Sequence, residues 1–256
     1  MSTPSVDQQV QSRLKELYLP AVRGCYREQA DLARRESLSY ERYLLEVIER
    51  ECEARQHNRI ARLLRESKLP LEKNLQSFDA QRLPRKVDAQ VSVLLEGEFT
   101  RRRENVLAFG NPGTGKTHLL CAIAHELVLQ GQRVIFTSAH QLVQELLIAK
   151  RELTLTKALK RFSRYDALVI DDIGYVQQSR QEMEVLFVLL AECYERTSVM
   201  ITSNLPFSQW ENIFKDPMTT AAAIDRLVHH SIILELNLDS YRLAHSKQAQ
   251  TVQETH

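Results

Sequence analysis

The run Gly110-Asn111-Pro112-Gly113-Thr114-Gly115-Lys116-Thr117 constrains the chain more than any other stretch. It lies directly between the apolar segment Val106-Leu107-Ala108-Phe109 and the helix-like run from His118 to Gln130. Glycines at these places let several backbone N–H groups turn inward around one phosphate, and the following helix points its positive end at the same anion. In that arrangement Lys116 reaches the β- and γ-phosphates and the Thr117 hydroxyl holds Mg²⁺. A glycine-lysine surface loop is the competing reading, but the fixed positions all fall in a strand-loop-helix context. Residues 110–118, His118 included, are therefore expected to bind ATP or ADP.

Downstream, strand-like and helix-like runs alternate. Arg133 to Thr137, Ala167 to Ile170, Val199 to Thr202 and Ser231 to Leu236 read as short buried strands, with Ser138 capping one intervening helix and Val185 to Cys193 in another. Alternation of this kind predicts an α/β fold with a parallel sheet flanked by helices, and ligands bound outside the carboxyl ends of the strands. At one such end stands Leu168-Val169-Ile170-Asp171-Asp172. Asp171 is placed to hold Mg²⁺ opposite Thr117, and Asp172 to orient and polarise the attacking water. At another, Asn204 follows Val199-Met200-Ile201-Thr202-Ser203 and can hydrogen-bond the γ-phosphate or the water; before Pro206 it can equally be a turn residue. Arg226, near the end of a helix-like run before the last strand, is displayed where it can complete a neighbouring subunit's site.

The first third reads differently. Met1 to Gln9 is polar and expected to fray, Leu14 to Tyr18 form a short helix stopped by Pro20, and Ala21 to Arg35 form a second. Tyr40 to Leu64 keeps one apolar stripe, with Ser39 as N-cap, so a long helix is expected. Arg55, Arg59, Arg62 and Arg65 recur on it near helical spacing, either as a DNA-facing row or as a solvated face. The division expected is 1–70, a small all-α domain for DNA or a partner, and 71–256, the nucleotide-binding domain. Leu71 to Leu83 reads as a connector, and Asp88 to Phe99 as a short helix against the core.

The formal net charge of +1 requires any nucleic-acid surface to be local. Four widely spaced cysteines without a CxxC pair fit reduced thiols, and no run is apolar enough for a signal peptide or a membrane span, so a cytoplasmic protein is expected. The local basic stretch is Lys150, Arg151, Lys157, Lys160, Arg161 and Arg164, interrupted by the single acid Glu152. Cations facing a duplex displace condensed counterions and give salt-dependent, sequence-tolerant affinity.

Together with Arg13-Leu14-Lys15-Glu16-Leu17, Asn74-Leu75, Phe78-Asp79, Asn105-Val106-Leu107 and Ile224-Asp225-Arg226-Leu227-Val228-His229-His230, these motifs resemble the IstB-like AAA+ ATPases. Those are helper proteins of insertion-sequence transposition, related to DnaC and DnaA. The resemblance spans nearly the whole chain. It implies a Walker A pair at Lys116 and Thr117, a Walker B pair at Asp171 and Asp172, a sensor 1 at Asn204 and a trans-acting arginine finger at Arg226. Many AAA+ proteins carry Glu where this chain has Asp172, one methylene shorter. Little chain remains for a helical lid, and Arg242 is the candidate sensor 2.

The function expected is an Mg²⁺-dependent, DNA-stimulated ATPase that oligomerises on duplex DNA, remodels it and recruits and activates a cognate transposase. In initiator-type AAA+ proteins the region matching the basic stretch lines a DNA channel. A replicative helicase loader would share the core and favour single strands, and a switch with negligible turnover stays open because of Asp172. A small-molecule kinase lacks any legible acceptor pocket.

Overall fold

A computed structural model of the chain describes residues 4–175, 179–210 and 217–238. Two compact units result, residues 1–62 and 63–256.

The first unit holds α1 (Val6–Glu16), α2 (Pro20–Glu36) and most of α3 (Tyr40–Ser67). The frayed start expected through Gln9 is corrected: α1 begins at Val6, because Ser5 and Gln8 form a reciprocal capping box. Leu19 gives α2 no side-chain cap. Glu51 of α3 supplies one instead, accepting from the N–H groups of Ala21 (2.9 Å) and Val22 (3.2 Å) and from Arg55 Nε (2.9 Å). Burial alone would push the Glu51 carboxyl up, but Arg55 and the two N–H groups outweigh it and hold it below the usual range. Arg55 also donates to the Tyr18 carbonyl at 2.7 Å, so it is committed to this joint.

In the second unit, α4 (Arg85–Leu95) and α5 (Glu98–Arg101) replace the single helix expected over 88–99. Gly97 at φ +77 separates them. Then follow β1 (Asn105–Phe109), α6 (Lys116–Leu129), β2 (Val134–Ser138), α7 (Ala139–Arg151), α8 (Leu155–Phe162), β3 (Ala167–Asp171), α9 (Arg180–Cys193), β4 (Ser198–Ser203), α10 (Pro217–Val228) and β5 (Ser231–Glu235). All pairings are parallel, in the order β2-β3-β4-β1-β5. Period-2 alternation splits the strands between two cores. Leu107, Leu168, Ile170, Val199 and Ile201 pack with α7, α8 and α9, while Val106, Ala108, Val169 and Met200 pack with α4 and α6. Side chains buried on both faces explain why the strands read as unbroken apolar runs.

Burial pushes the thiols of Cys121 and Cys193 up to about 12, and all four cysteines are free. Among the described residues, no helix is long and apolar enough to cross a membrane.

Candidate nucleotide-binding site

β1 delivers the chain to the glycine loop and α6 leaves from it. Gly110 has φ +152, and a Cβ there would stand 2.4 Å from the Leu236 carbonyl oxygen. Gly113 (φ +84) and Gly115 (φ +96) are also in conformations that L side chains rarely adopt. Thr114 Oγ1 donates to the Asn111 carbonyl at 2.9 Å, closing the loop on itself. Lys116, 5% exposed, folds back and donates to the carbonyls of Gly110 and Asn111, both at 2.8 Å.

The strand order decides what faces the loop. β4 lies between β1 and β3, so Asp171 at the end of β3 meets Thr117 at the start of α6 across the end of β4. Thr117 Oγ1 donates to Asp171 Oδ1 at 2.7 Å. Thr202 of β4, fully buried, donates to the same oxygen at 2.6 Å and accepts the Asp172 N–H at 2.8 Å. One hydroxyl thus orients the carboxylate and anchors the backbone of Asp172, whose φ is +58. A hydroxyl and a carboxylate held together are hard oxygen donors, a set that fits Mg²⁺.

Asn204 follows directly. Ser203 Oγ donates to the Leu205 carbonyl at 2.8 Å and accepts the Leu205 N–H at 3.0 Å, and Trp210 Nε1 donates to the same carbonyl at 3.1 Å. This pinned turn leaves Asn204 Oδ1 buried and without a hydrogen-bond partner among the described residues. A buried acceptor left unmet costs about 1–3 kcal/mol, so the site is built to receive a donor there. Gly174 makes the room: a Cβ on it would lie 2.3 Å from that oxygen.

A cleft of about 280 Å³ collects Pro112 to His118, Asp172 and Asn204 along one side. The other side is the stretch expected to be a mere connector, and that expectation is corrected: Lys73, Ser77, Phe78, Asp79, Arg82 and Leu83 all line the cleft. Asn74 and Ser77 bond each other's backbone N–H groups (3.3 and 3.1 Å), forming a turn that presents Phe78. His118 Nε2 lies 3.1 Å from both Ser77 Oγ and the Asn74 carbonyl, and its ring meets Phe78 edge-on at 5.2 Å. The signal for this wall was the Asn/Ser/Asp turn chemistry around one aromatic. Thr202 and Gly174 carry no signal until β4 is known to lie beside β3.

Arg226 lies elsewhere. Its guanidinium donates to the Ala222 carbonyl at 2.8 Å and sits 5.1 Å over the Phe187 ring. Asn105, the first residue of β1, binds the Leu227 carbonyl (3.0 Å) and the His230 carbonyl (2.7 Å), which fixes the end of α10 at the strand starts. The basic stretch runs from the end of α7 through α8. Lys150 pairs with Glu184 at 2.8 Å and Arg161 with Glu145, whereas Arg151, Lys157, Lys160 and Arg164 are exposed without a carboxylate partner among the described residues. Arg242 lies outside the described residues.

The insertion sequence ATP-binding protein y4iQ/y4nD/y4sD of Sinorhizobium fredii is 42% identical over 92% of this chain and 80% of its own length. The IS5376 ATP-binding protein of Geobacillus stearothermophilus is 36% identical over 89% and 90%. Among solved structures, AMPPCP-bound DnaA from Aquifex aeolicus superposes with TM-score 0.56 at 22% identity over 67% of this chain and 52% of that one. The DnaC helicase loader gives 0.55 at 20% over 64% and 96%. These two likenesses identify the fold as that of AAA+ P-loop proteins. The IstB-like ATP binding protein family matches residues 12–249, and the chain belongs to that family.

Proposed function

We propose that the chain is an ATPase of DNA transposition that assembles as a homo-oligomer on duplex DNA, deforms it and recruits and activates a cognate transposase. The observation that carries this reading is the split between two ends of one sheet. Lys116, Thr117, Asp171, Asp172 and Asn204 gather at the carboxyl ends of the strands, while Arg226 stands at the amino ends. β1 alone separates these ends by roughly 13 Å, at 3.3 Å per residue step. That separation puts Arg226 out of reach of its own subunit's nucleotide and supports assigning it to a nucleotide on another subunit.

Within one site, Lys116 leaves the Gly110 and Asn111 carbonyls for the β- and γ-phosphates. Thr117 and Asp171 hold Mg²⁺, which when bound neutralises charge on the phosphate oxygens. Asp172 takes the proton side of the attacking water, and Asn204 Oδ1 accepts from that water. Phe78 packs on the base. The exposed cations Arg151, Lys157, Lys160 and Arg164, with Lys150 and Arg161, track the duplex, and the first 70 residues offer the partner surface. The names of the relatives, insertion sequence ATP-binding proteins, support transposition as the setting. The cytoplasm is its place.

A mixing experiment tests the split. Lys116→Ala should lose nucleotide binding, and Arg226→Ala should keep it while losing turnover. Mixed, the first donates its Arg226 to the intact site of the second, so turnover should recover in part. No recovery at any ratio, with both variants folded, refutes the trans assignment.

A further inference from the structure

The corner between α7 and α8 contains a residue that the fold does not ask for. Thr154 N–H bonds the Ala149 carbonyl at 2.8 Å and Leu153 N–H bonds the Lys150 carbonyl at 3.2 Å, the paired pattern of a Schellman helix end. In that motif the residue at position 153 must be left-handed, and glycine is the usual occupant. Here it is leucine, with φ +57 and 94% of its surface exposed. Of the other left-handed non-glycine positions among the described residues, Ser37, Lys68, Arg103, Asp172 and Glu195 are polar, and Tyr18, 82% exposed, closes α1 with the same paired bonds but carries a hydroxyl; Leu153 alone among them is aliphatic.

The leucine makes no contribution that would repay this. The apolar contact that accompanies a Schellman end falls to Thr154 and Ala149, whose bond is doubled by Thr154 Oγ1 at 3.3 Å. The next leucine, Leu155, packs on the core with Leu159 and Phe162, whereas Leu153 points into water. Glycine would remove both the strain and the exposed apolar surface. The corner is also rigid, since Lys157 and Ala158 N–H groups bond the Thr154 carbonyl at 2.9 and 3.1 Å. On either side stand the exposed cations Arg151 and Lys157, with Lys160 beyond and Glu152 the one acid between them.

We propose that Leu153 is a wedge for duplex DNA. Arg151 and Lys157 hold phosphates on either side while the leucine enters a base step from the minor groove and unstacks it. Apolar side chains inserted in this way kink the duplex, and the unstacking cost is offset by the added contact that bent DNA permits. The surplus of cations around the tip selects DNA over a second protein surface as the occupant. This inference rests on the reading of residues 150–164 as the DNA-binding stretch.

The test uses the full chain with ATP, Mg²⁺ and a short duplex carrying 2-aminopurine beside a single mismatch, against the matched duplex. Wild type and Leu153→Met should raise the 2-aminopurine fluorescence and bind the mismatched duplex about tenfold more tightly, because the mismatch has already lowered the unstacking cost. Leu153→Ala and Leu153→Gly should still bind the matched duplex with an unchanged salt slope but lose both effects. Leu153→Gly should melt no lower than wild type, since it relieves the left-handed strain, so its defect is not one of folding. Retention of both effects in the glycine variant overturns the wedge and leaves DNA binding intact. Failure of wild type to bind any duplex at low salt overturns both readings. Loss of self-association without DNA in Leu153→Ala, seen by sedimentation, assigns the tip to a second copy and overturns the wedge.

Discussion

Thr202→Val isolates the hydroxyl on which the Asp171–Asp172 arrangement hangs. Valine has nearly the shape of threonine, so no cavity opens at a position that is 0% exposed. What disappears is the 2.6 Å bond to the Asp171 carboxylate and the acceptor for the Asp172 N–H at 2.8 Å. A hydrogen bond to a charged group contributes about 1.5–3 kcal/mol, and a buried donor left unmet costs about 1–3 kcal/mol. Because the two share one oxygen, a combined loss of about 4 kcal/mol is a fair central value. In a unit of this size that corresponds to a fall in Tm of about 8–16 °C. Thr202→Ser keeps the oxygen and removes one methyl, worth about 0.8 kcal/mol and so a fall of roughly 2–3 °C. Differential scanning calorimetry of the ligand-free proteins measures both. Among residual folded protein, Thr202→Val should also need more Mg²⁺ for half-maximal turnover, while Thr202→Ser should not. A valine variant melting within 2 °C of wild type (roughly 1 kcal/mol), or a serine variant falling as far as valine, refutes the bridging role.

Other expectations follow from the same geometry. Gly174→Ala drives a Cβ into Asn204 Oδ1, 2.3 Å away, and should preserve nucleotide binding in a fluorescent-nucleotide titration while cutting kcat at least tenfold, about 1.4 kcal/mol of barrier. Phe78→Ala should weaken ATP binding by about tenfold to a hundredfold if the ring stacks on the base, with calorimetric titration as the measurement. Glu51, held below its ordinary value, should stabilise the first unit fully above its unfolded value of about 4.3 and progressively less as the pH falls through the depressed folded value. Circular dichroism melts from pH 6 to pH 3 should show that loss, and Glu51→Gln should flatten it.

Much of this arrangement was legible in the residues because it depends on local chemistry. The glycine loop, the strand-end carboxylates and the Ser138 cap, which accepts the Gln141 N–H at 3.3 Å, are written in contiguous stretches. The apolar runs gave each strand to within a residue or two, since burial on both faces leaves no ambiguity of period. Residues whose work depends on topology were not legible. Thr202 acts because β4 separates β1 from β3, and Gly174 because Asn204 lies against it. The wall of the cleft from Lys73 to Leu83 looks like a linker in the residues because its irregular backbone carries no periodicity, although its turn chemistry is present. The capping box at Ser5 and Gln8 hides in a uniformly polar run, which has the composition of a frayed end.

If a nucleotide cycle is coupled to duplex DNA, steady-state ATP hydrolysis by the purified chain must respond to that DNA. Rates should be taken alone, with duplex and with single strands, at low and moderate salt. Stimulation by duplex that fades as salt rises is the expected result, and the log–log slope against salt of the duplex affinity, taken from the DNA concentration giving half-maximal stimulation, should shrink by roughly one for each phosphate-contacting cation removed among Arg151, Lys157 and Lys160. Stimulation by single strands alone rules out a duplex-coupled cycle and favours a helicase loader, and a rate indifferent to both nucleic acids removes DNA from the cycle.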